Sequence, residues 1–262
     1  MEVVRIIAGR RRGAPTDVAF LEFARPTIED AVAELAARGI QRIVCQPAML
    51  LGAGHVKNDV PRLLKSASRC WPDLEISMGA ALRLHPKLLE LCQLRISQAM
   101  NRREPQSEKT TALLVVGRGS SDPDANAEVA LICRLLQQER RFGGGTACFS
   151  GIAKPLLPEL LETAARRGFR RIIVLPYLLF SGALLKKIHS DTLRAAASHA
   201  DIDIYCAPHL GVHELLADVI EERSAGPLEE LIAVPHHLPT PHYRTAFPLM
   251  PSRSPGGSAT PS

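Results

Sequence analysis

Glu22 and His55 are the two residues of this sequence whose types and positions best suit chemistry. Glu22 lies in the segment LEFARP and His55 in LLGAGHVKND, and each segment directly follows an apolar run that predicts a strand. Ligands of open α/β sheets bind beyond the carboxyl ends of the strands, so both side chains could face one cleft. A neutral imidazole suits a borderline divalent transition metal, and a carboxylate adds charge neutralisation and a proton acceptor. Without further support, a loop histidine and a surface carboxylate are more often ordinary exposed residues.

Three further features are either functional or merely structural. Lys57 recurs 129 residues later as Lys186, which fits a shared salt bridge about as well as substrate binding. The segment GRGSSDP resembles a phosphate-cradling loop, in which Asp122 would cap the next helix, but such a pattern is weak evidence for a nucleotide. His85 and His213 each precede a predicted helix, where capping or packing explains them better than catalysis.

An internal repeat organises the chain. Residues Val18–Arg69 overlay Ala147–Ser198 at a constant offset of 129 residues. One residue is lost further on, after which DLEISMGAALRLHPKLLEL overlays DIDIYCAPHLGVHELLADV. Chance seldom places so many Pro, Gly and His residues at one offset, so two copies of one unit are predicted. The coincident pairs include Phe20 and Phe149, Pro26 and Pro155, Gly39 and Gly168, Pro47 and Pro176, and His85 and His213.

Each copy has the pattern of a βαβ series. A short apolar strand leads through a proline turn into an amphipathic helix, which Gly39 or Gly168 ends where φ is often positive. A continuous apolar strand follows, of the kind buried in a parallel sheet, then a second helix, a further strand and a last helix. This alternation predicts an α/β fold of two tandem units, each an open, mostly parallel sheet with helices on both faces. The predicted first strands are Val18–Leu21 and Ala147–Phe149, and the predicted first helices are Ile28–Arg38 and Leu156–Arg167.

The second copy has an opening segment that the first lacks. It begins with a strand at Ala112–Val116, a glycine-rich turn and a helix from about Ala125, whereas Met1 falls opposite Ala130, inside that helix. The opening strand and loop of the first unit would therefore occupy positions before residue 1. We expect the first unit at residues 1–98, a polar linker at 99–110, the second unit at 111–225 and a disordered tail at 226–262.

The composition excludes several classes of protein. The 262 residues are 46% apolar and 23% charged, with no apolar run near the ~20 residues of a membrane span and no signal-peptide pattern. Six scattered cysteines without a CxxC pair predict reduced core thiols in a cytoplasmic protein. The net charge of +5 and the pI of about 9.0 suit an anionic partner. Aromatic residues make up only 4% and no basic recognition helix occurs, so we expect no nucleic-acid partner; a polycarboxylate small molecule accounts for the charge equally well.

Four segments carry a resemblance to a known family: FLEFARPTIEDA and AGHVKND in the first unit, and VGRGSSDPDAN and FSGALLKKI in the second. They resemble sirohydrochlorin cobaltochelatases of the CbiX type, within the class II chelatases. The resemblance extends from Met1 to about Ala225 and matches the long form, in which two units are fused and the second has lost its metal ligands. It implies insertion of a divalent metal, Co²⁺ ahead of Fe²⁺ or Ni²⁺, into sirohydrochlorin for cobalamin biosynthesis. The metal is then a substrate, and no organic cofactor is implied.

The resemblance also implies roles for individual residues. In that family the metal is held by a histidine in a GHGS-type loop, a glutamate after the second strand and a histidine after the third. Glu22 and His55 match the last two, and the first histidine would lie in the segment expected before residue 1. In the second unit the three positions hold Arg118, Gly151 and Leu184, so that unit is expected to bind no metal in this way. The cations expected to contact substrate carboxylates are Lys57, Arg25 and Arg118.

Two alternatives to cobalt insertion stay open at this point. Fe²⁺ insertion for sirohaem synthesis would use the same types of ligand. A non-catalytic tetrapyrrole- or metal-binding protein would also fit a chain that holds two of three expected ligands. The sequence is compatible with a monomer, in which the two units form a pseudo-dimer, and with a homodimer.

Overall fold

The computed structural model describes residues 2–11 and 13–227. The predicted disordered tail lies, from residue 228 on, outside the described residues. None of the described helices is long and apolar enough to cross a membrane. A π-helical turn at His55–Asp59 precedes α3, and a 3₁₀ turn at Glu108–Thr110 precedes β3. The elements are α1 (Glu2–Arg10), α2 (Ile28–Ala37), β1 (Arg42–Cys45), α3 (Val60–Cys70), β2 (Glu75–Met78), α4 (Pro86–Met100), β3 (Thr111–Gly117), α5 (Pro123–Arg140), β4 (Gly144–Phe149), α6 (Leu157–Arg166), β5 (Arg171–Pro176), α7 (Ala183–Ser198), β6 (Asp203–Cys206) and α8 (Glu214–Ala225).

Strands β3 to β6 form a parallel sheet in the order β4-β3-β5-β6. The central strands β3 and β5 are buried along their whole lengths, as expected for strands covered on both faces. Their side chains alternate between two cores. Leu113 and Val115 pack with α4, α5 and α8, whereas Leu114 and Val116 pack with α6 and α7. The predicted α/β fold, a parallel sheet with helices on both faces, is confirmed.

The first unit has a smaller sheet, in which β1 and β2 pair in parallel. Helices α2 and α3 cover it through a core that includes Leu64 and Met78. The prediction of a strand at Val18–Leu21 is wrong, because only Phe20 pairs, through a single bridge to Thr27. The counterpart of this segment, β4, pairs along its length with β3. The described part of the first unit holds no equivalent of β3, so residues 18–21 lack the partner strand that β4 has in the second unit.

The internal repeat is visible in the backbone. Helices α2 and α6 each hold ten residues at an offset of 129, and strands β2 and β6 each hold four at an offset of 128. The helices predicted from Ile28 and Leu156 are thus confirmed to within one residue at each end. His85 and His213 are both N-caps, because the Nδ1 atom of each accepts from the amide two residues on, which confirms their capping role. Left-handed glycines coincide as well: Gly39 has a φ of 78° and Gly168 one of 82°.

The last helix of each unit packs against the other unit. Helix α4 contacts α5 and β5, and α8 contacts α1, whose sequence corresponds to the second half of α5. Equivalent arginines of the two units make the same hydrogen bonds to a backbone carbonyl of the other unit. Arg95 donates to the carbonyl oxygen of Leu210 over 2.6 and 3.0 Å, and Arg223 donates to that of Leu82 over 2.9 and 3.1 Å. Both leucines are fully buried, so the two units share one core.

All six cysteines have free thiols. Cys92, Cys133 and Cys148 are buried, whereas Cys70 is exposed at the end of α3, so the prediction of core thiols is wrong for Cys70. Burial raises the pKa of Cys133 to about 12 and that of Cys45 to about 11. Both thiols therefore stay protonated at neutral pH, which makes them poor nucleophiles and poor metal ligands.

Candidate functional site

His55 begins the π-helical turn on the loop that follows β1. The amide of Val60 closes this turn by donating to the carbonyl oxygen of His55, five residues back. The Nδ1 atom of His55 lies 2.8 Å from a carboxylate oxygen of Asp59, and the two side chains are 42% and 40% exposed. An ionised carboxylate can only accept a hydrogen bond, so Nδ1 carries a proton, and in the neutral ring Nε2 then has the lone pair. An imidazole held in this way can bind a metal or accept a proton, and π-helical turns are frequent at functional sites.

Lys57 joins the loops of the two units. Its Nζ atom lies 2.7 Å from the carboxylate of Asp122, in the GRGSSDP loop of the second unit. The other oxygen of Asp122 accepts from the amide of Asp124 at 3.0 Å, which confirms the predicted N-cap. Burial acts to raise the pKa of Asp122, but hydrogen bonds from Lys57 and from the amides of Asp124 and Ala125 together lower it. The loop after β1 and the loop after β3 are therefore in contact, and Lys57 is engaged in a salt bridge.

The loop that carries Glu22 also exposes a phenylalanine. Glu22 is exposed, and its neighbour Phe23 is fully exposed with a φ of 61°. The equivalent residue of the second unit, Ile152, is 72% exposed with a φ of 58°. A left-handed backbone is uncommon for residues other than glycine, and it persists mainly where the surrounding structure or function requires it. The repeat thus keeps an apolar side chain in solvent here, although Glu22 itself corresponds to Gly151.

The glycine-rich loop after β3 is closed on itself and packs against the loop after β4. A Cβ atom on Gly119, whose φ is 89°, would lie 2.1 Å from the carbonyl oxygen of Gly151, so only glycine fits there. The amide of Ser120 donates to Asn126, and the amide of Asp122 donates to the hydroxyl of Ser120. Because these amides are bonded within the loop, the comparison with a phosphate-cradling loop gains no support.

The remaining predicted site residues lie on the surface. Arg118 is exposed directly after β3, and Arg25 is exposed with a guanidinium nitrogen 3.2 Å from a carboxylate oxygen of Asp30. Among residues 2–11 and 13–227, no three His, Cys, Asp or Glu side chains lie close enough together to hold a metal ion. Glu22 therefore does not complete a three-residue group with His55 and its carboxylate neighbour.

Comparison with known proteins assigns the chain to a family. A family model described as CbiX matches residues 1–99 and 112–226, which include every residue of the loops described above. The chain belongs to the CbiX family. The resemblance predicted from the sequence is thereby confirmed.

Two curated relatives and one solved structure illustrate this membership of the CbiX family. The sirohydrochlorin cobaltochelatase of Priestia megaterium is 32% identical over 213 residues, which are 81% of this chain and 69% of the relative. A sirohydrochlorin ferrochelatase of the same organism is 31% identical over 207 residues, or 79% of this chain and 76% of the relative. The structure titled SirB from Bacillus subtilis with Fe³⁺ superposes with a TM-score of 0.75 and 23% identity over 86% of each chain, which shows a shared fold.

Asp59 and Phe23 are the residues of the CbiX loops that sequence reasoning missed. Asp59 stands four residues after His55, a spacing at which helical side chains meet, so the segment HVKND contained a usable signal. Phe23 stands beside Glu22, but neither its exposure nor its left-handed backbone can be read from an apolar residue in LEFARP. The partner of Lys57 was also out of reach, because Asp122 is 65 residues away in the chain.

Proposed function

We propose that this protein is a sirohydrochlorin chelatase, which inserts Co²⁺ into the tetrapyrrole for cobalamin biosynthesis. The observation that carries the proposal is the half-exposed imidazole of His55, bonded at Nδ1 to Asp59 on a π-helical turn, in a chain of the CbiX family. The two curated relatives described above are both named as sirohydrochlorin chelatases, which supports the same substrate here.

The chemistry of insertion suits the side chains of the first unit. Two pyrrole N–H protons must leave the macrocycle, and the metal ion must exchange bound water for ring nitrogens. His55 binds the incoming ion or takes a proton through Nε2, and Glu22 neutralises charge and accepts a proton. The second unit has Gly151 and Leu184 at these positions, so we assign the reaction to the first unit.

Cations and one apolar side chain near these loops would hold the substrate. Sirohydrochlorin is rich in carboxylates, and the exposed guanidinium groups of Arg25 and Arg118 can bind them in pairs of hydrogen bonds. Lys57 would exchange its salt bridge to Asp122 for a substrate carboxylate. Phe23 offers an exposed ring against which the flat macrocycle can stack.

Fe²⁺ is the alternative metal, and its insertion into sirohydrochlorin would serve sirohaem synthesis. An imidazole and a carboxylate bind either ion, and availability in the cell often decides which metal a site receives. The ferrochelatase of Priestia megaterium is nearly as similar to this chain as the cobaltochelatase, at 31% against 32% identity. We favour Co²⁺ and treat Fe²⁺ as the outcome that would replace it.

A non-catalytic tetrapyrrole- or metal-binding protein is the second candidate function. One observation favours it: the described residues contain no group of three His, Cys, Asp or Glu side chains that could hold a metal ion. A protein of this kind would bind sirohydrochlorin without speeding the loss of its pyrrole protons.

We also propose a monomer in the cytoplasm. The six thiols are free, which suits a reducing compartment. The reciprocal packing of α4 and α8 already joins the two units within one chain.

The test is an absorption assay with purified protein, sirohydrochlorin and either Co²⁺ or, without oxygen, Fe²⁺. We expect metal insertion well above the spontaneous rate, faster with Co²⁺, and its loss in His55→Ala. The matched control is His189→Ala, which removes an exposed histidine of α7 and should leave the rate unchanged. A rate no higher than the spontaneous one, with the macrocycle bound, would replace the enzyme by the binding protein. Unchanged insertion by His55→Ala would remove His55 from the site.

A further inference from the structure

The two units differ in register at the π-helical turn. At the first two residues of the turn, the repeat still runs at an offset of 129 residues, and Val56 and its counterpart Leu185 are both buried. After the turn, the burial pattern matches at an offset of 128, where Val60 corresponds to the buried Ile188. An offset that falls by one means that the first unit has one more residue in between.

Leu64 shows where the offset has changed. At an offset of 128 it corresponds to Thr192, which is buried as Leu64 is; at 129 it would correspond to Leu193, which is 70% exposed. The helices also end alike at the smaller offset, because Trp71 after α3 and His199 after α7 have φ values of −131° and −130°. The extra residue therefore lies within the π-helical turn, and the prediction of a constant offset of 129 as far as Arg69 is wrong beyond this turn.

The extra residue is accommodated by the change from an α-helical to a π-helical hydrogen bond. In the first unit, the amide of Val60 bonds to the carbonyl of His55, five residues back. In the second unit, α7 runs as a regular α-helix through the corresponding positions. One-residue insertions that widen a helical turn in this way are rare overall, and those that occur are often found at functional sites. Here the wide turn begins at His55 and ends at Asp59, the two residues that bond to each other.

A capping role does not explain Asp59. It is the residue before α3, yet its side chain makes no capping hydrogen bond to that helix. Its carboxylate instead accepts from Nδ1 of His55 at 2.8 Å. In the second unit the position of His55 is Leu184 and the turn is α-helical, so the histidine and the wide turn are both missing there.

We infer that the inserted residue makes Asp59 a positioning residue, which holds His55 in the Nδ1–H tautomer with Nε2 available for the metal. This inference rests on the proposed function and adds to it a carboxylate that the family resemblance did not assign. Carboxylates that accept from the far nitrogen of a metal-binding histidine fix its tautomer and orientation, and their loss typically weakens metal binding about 10- to 100-fold.

The first test replaces the carboxylate by an amide of the same shape. In Asp59→Asn, we expect the Kd for Co²⁺, followed by the visible absorption of the bound ion, to rise about 10- to 100-fold. The rate constant kcat should fall by a similar factor, while KM for sirohydrochlorin changes little. The matched control is Asp201→Asn, an exposed aspartate of the second unit whose loss should change neither quantity.

The second test removes the inserted residue. Deletion of Asn58 should convert the π-helical turn into an α-helical one, as in the second unit, and should place Asp59 three residues after His55 instead of four, which changes the geometry of their hydrogen bond. The chain is expected to stay folded, because the second unit already folds with the shorter turn. Co²⁺ affinity should fall as in Asp59→Asn. If the deletion unfolds the chain, Asp59→Asn decides alone.

A third readout does not depend on catalysis. In the native protein, ¹⁵N NMR of the His55 ring should show a protonated Nδ1 and a free Nε2, and Asp59→Asn should shift the population toward the Nε2–H tautomer. An unchanged tautomer together with native Co²⁺ affinity and kcat would overturn the inference. If the native protein inserts no metal, the proposed function fails, and the ring spectrum still decides whether Asp59 orients His55.

Discussion

Among single residues, the pair His55 and Leu184 separates the two units. Each lies at the start of the helix after the corresponding strand, and only the first unit has an imidazole there. Glu22 and Gly151 separate them in the same way. The exposed apolar residues Phe23 and Ile152 do not follow this division, because both units keep one. Because both units keep this exposed apolar residue, we expect it to contact the macrocycle of the substrate and not the metal ion.

Phe23→Ala should therefore weaken substrate binding without harming the fold. The ring is exposed in the free protein, so its removal leaves no cavity. Burial of a phenylalanine side chain against a ligand is worth about 1.5–3 kcal/mol, so KM for sirohydrochlorin should rise about tenfold or more with little change in kcat. Leu131→Ala, at an exposed leucine on α5, is the matched control. Equal KM values for the two variants would remove Phe23 from the binding surface.

Gly119→Ala should destabilise the protein. The residue has a φ of 89°, and an added Cβ atom would meet the carbonyl oxygen of Gly151 at 2.1 Å. We expect a loss of about 1–3 kcal/mol in the free energy of unfolding, measured in urea. Gly9→Ala is the contrasting variant, because that glycine lies within α1 with open space at its Cβ position. It should gain about 0.5–1 kcal/mol, and the reverse order of the two would contradict the backbone argument.

Among the helices, α4 and α8 each pack against the other unit. Arg95 and Arg223 are equivalent in the repeat and bond to the buried carbonyls of Leu210 and Leu82. A buried carbonyl that loses its donor costs about 1–3 kcal/mol. Arg95→Ala and Arg223→Ala should thus lower the free energy of unfolding by similar amounts in that range, and the exposed Arg102→Ala should change it by less than about 0.5 kcal/mol. Unequal losses would contradict the equivalence of the two contacts.

Ion pairs between the same helices make the stability of the fold depend on pH. Asp218 on α8 bonds to Lys87 on α4 and to Arg10 on α1, and these hydrogen bonds lower its pKa. A carboxyl group with a lowered folded-state pKa stabilises the fold above its unfolded pKa of about 4, and loses this effect as the pH falls through the folded-state pKa. Asp218→Asn should therefore be less stable than the native chain at pH 7, and the difference should vanish near pH 2. Thermal unfolding across this range checks it; a constant difference would exclude the charge as its cause.

Over the full chain, the two units depend on each other for their cores. The apolar face of α4, with Leu88, Leu91 and Ile96 fully buried, packs in a core that also contains β3, β5 and α8. Residues 1–100 or 111–227 produced alone would expose this surface, so we expect neither fragment to give a cooperative unfolding transition. The two fragments mixed should associate and regain it. A cooperative transition in either isolated fragment would show that the shared core is dispensable. The unit boundaries at 98 and 111 stay a prediction.

The chain as produced should sediment at its own mass of 28.5 kDa. The reciprocal contacts of α4 and α8 bury apolar surface of both units within one molecule. Analytical ultracentrifugation separates this from the homodimer of twice the mass, which would replace the proposed monomer.

Spacing along the sequence suffices for the local structure of this protein. Helices α2 and α6, the caps at His85 and His213 and the buried strand β5 all follow from residues within a few positions of one another. The same spacing located Glu22 and His55 on loops, because the end of a strand or helix is set by near neighbours. The internal repeat strengthened these predictions, because the helices and strands predicted in one unit could be compared with those predicted in the other.

Features that depend on contacts between residues far apart in the sequence could be seen only in the tertiary structure. Residues 18–21 have strand character, but the described first unit has no counterpart of β3, the strand beside which β4 forms in the second unit. Residues far apart in the sequence meet in the salt bridge between Lys57 and Asp122. They also meet where α4 and α8 pack against the other unit. The one-residue difference between the units was countable from the sequence, but its position was not. Packing places it at His55–Asp59, because Leu64 and its neighbours stay in the core only if the turn before them widens.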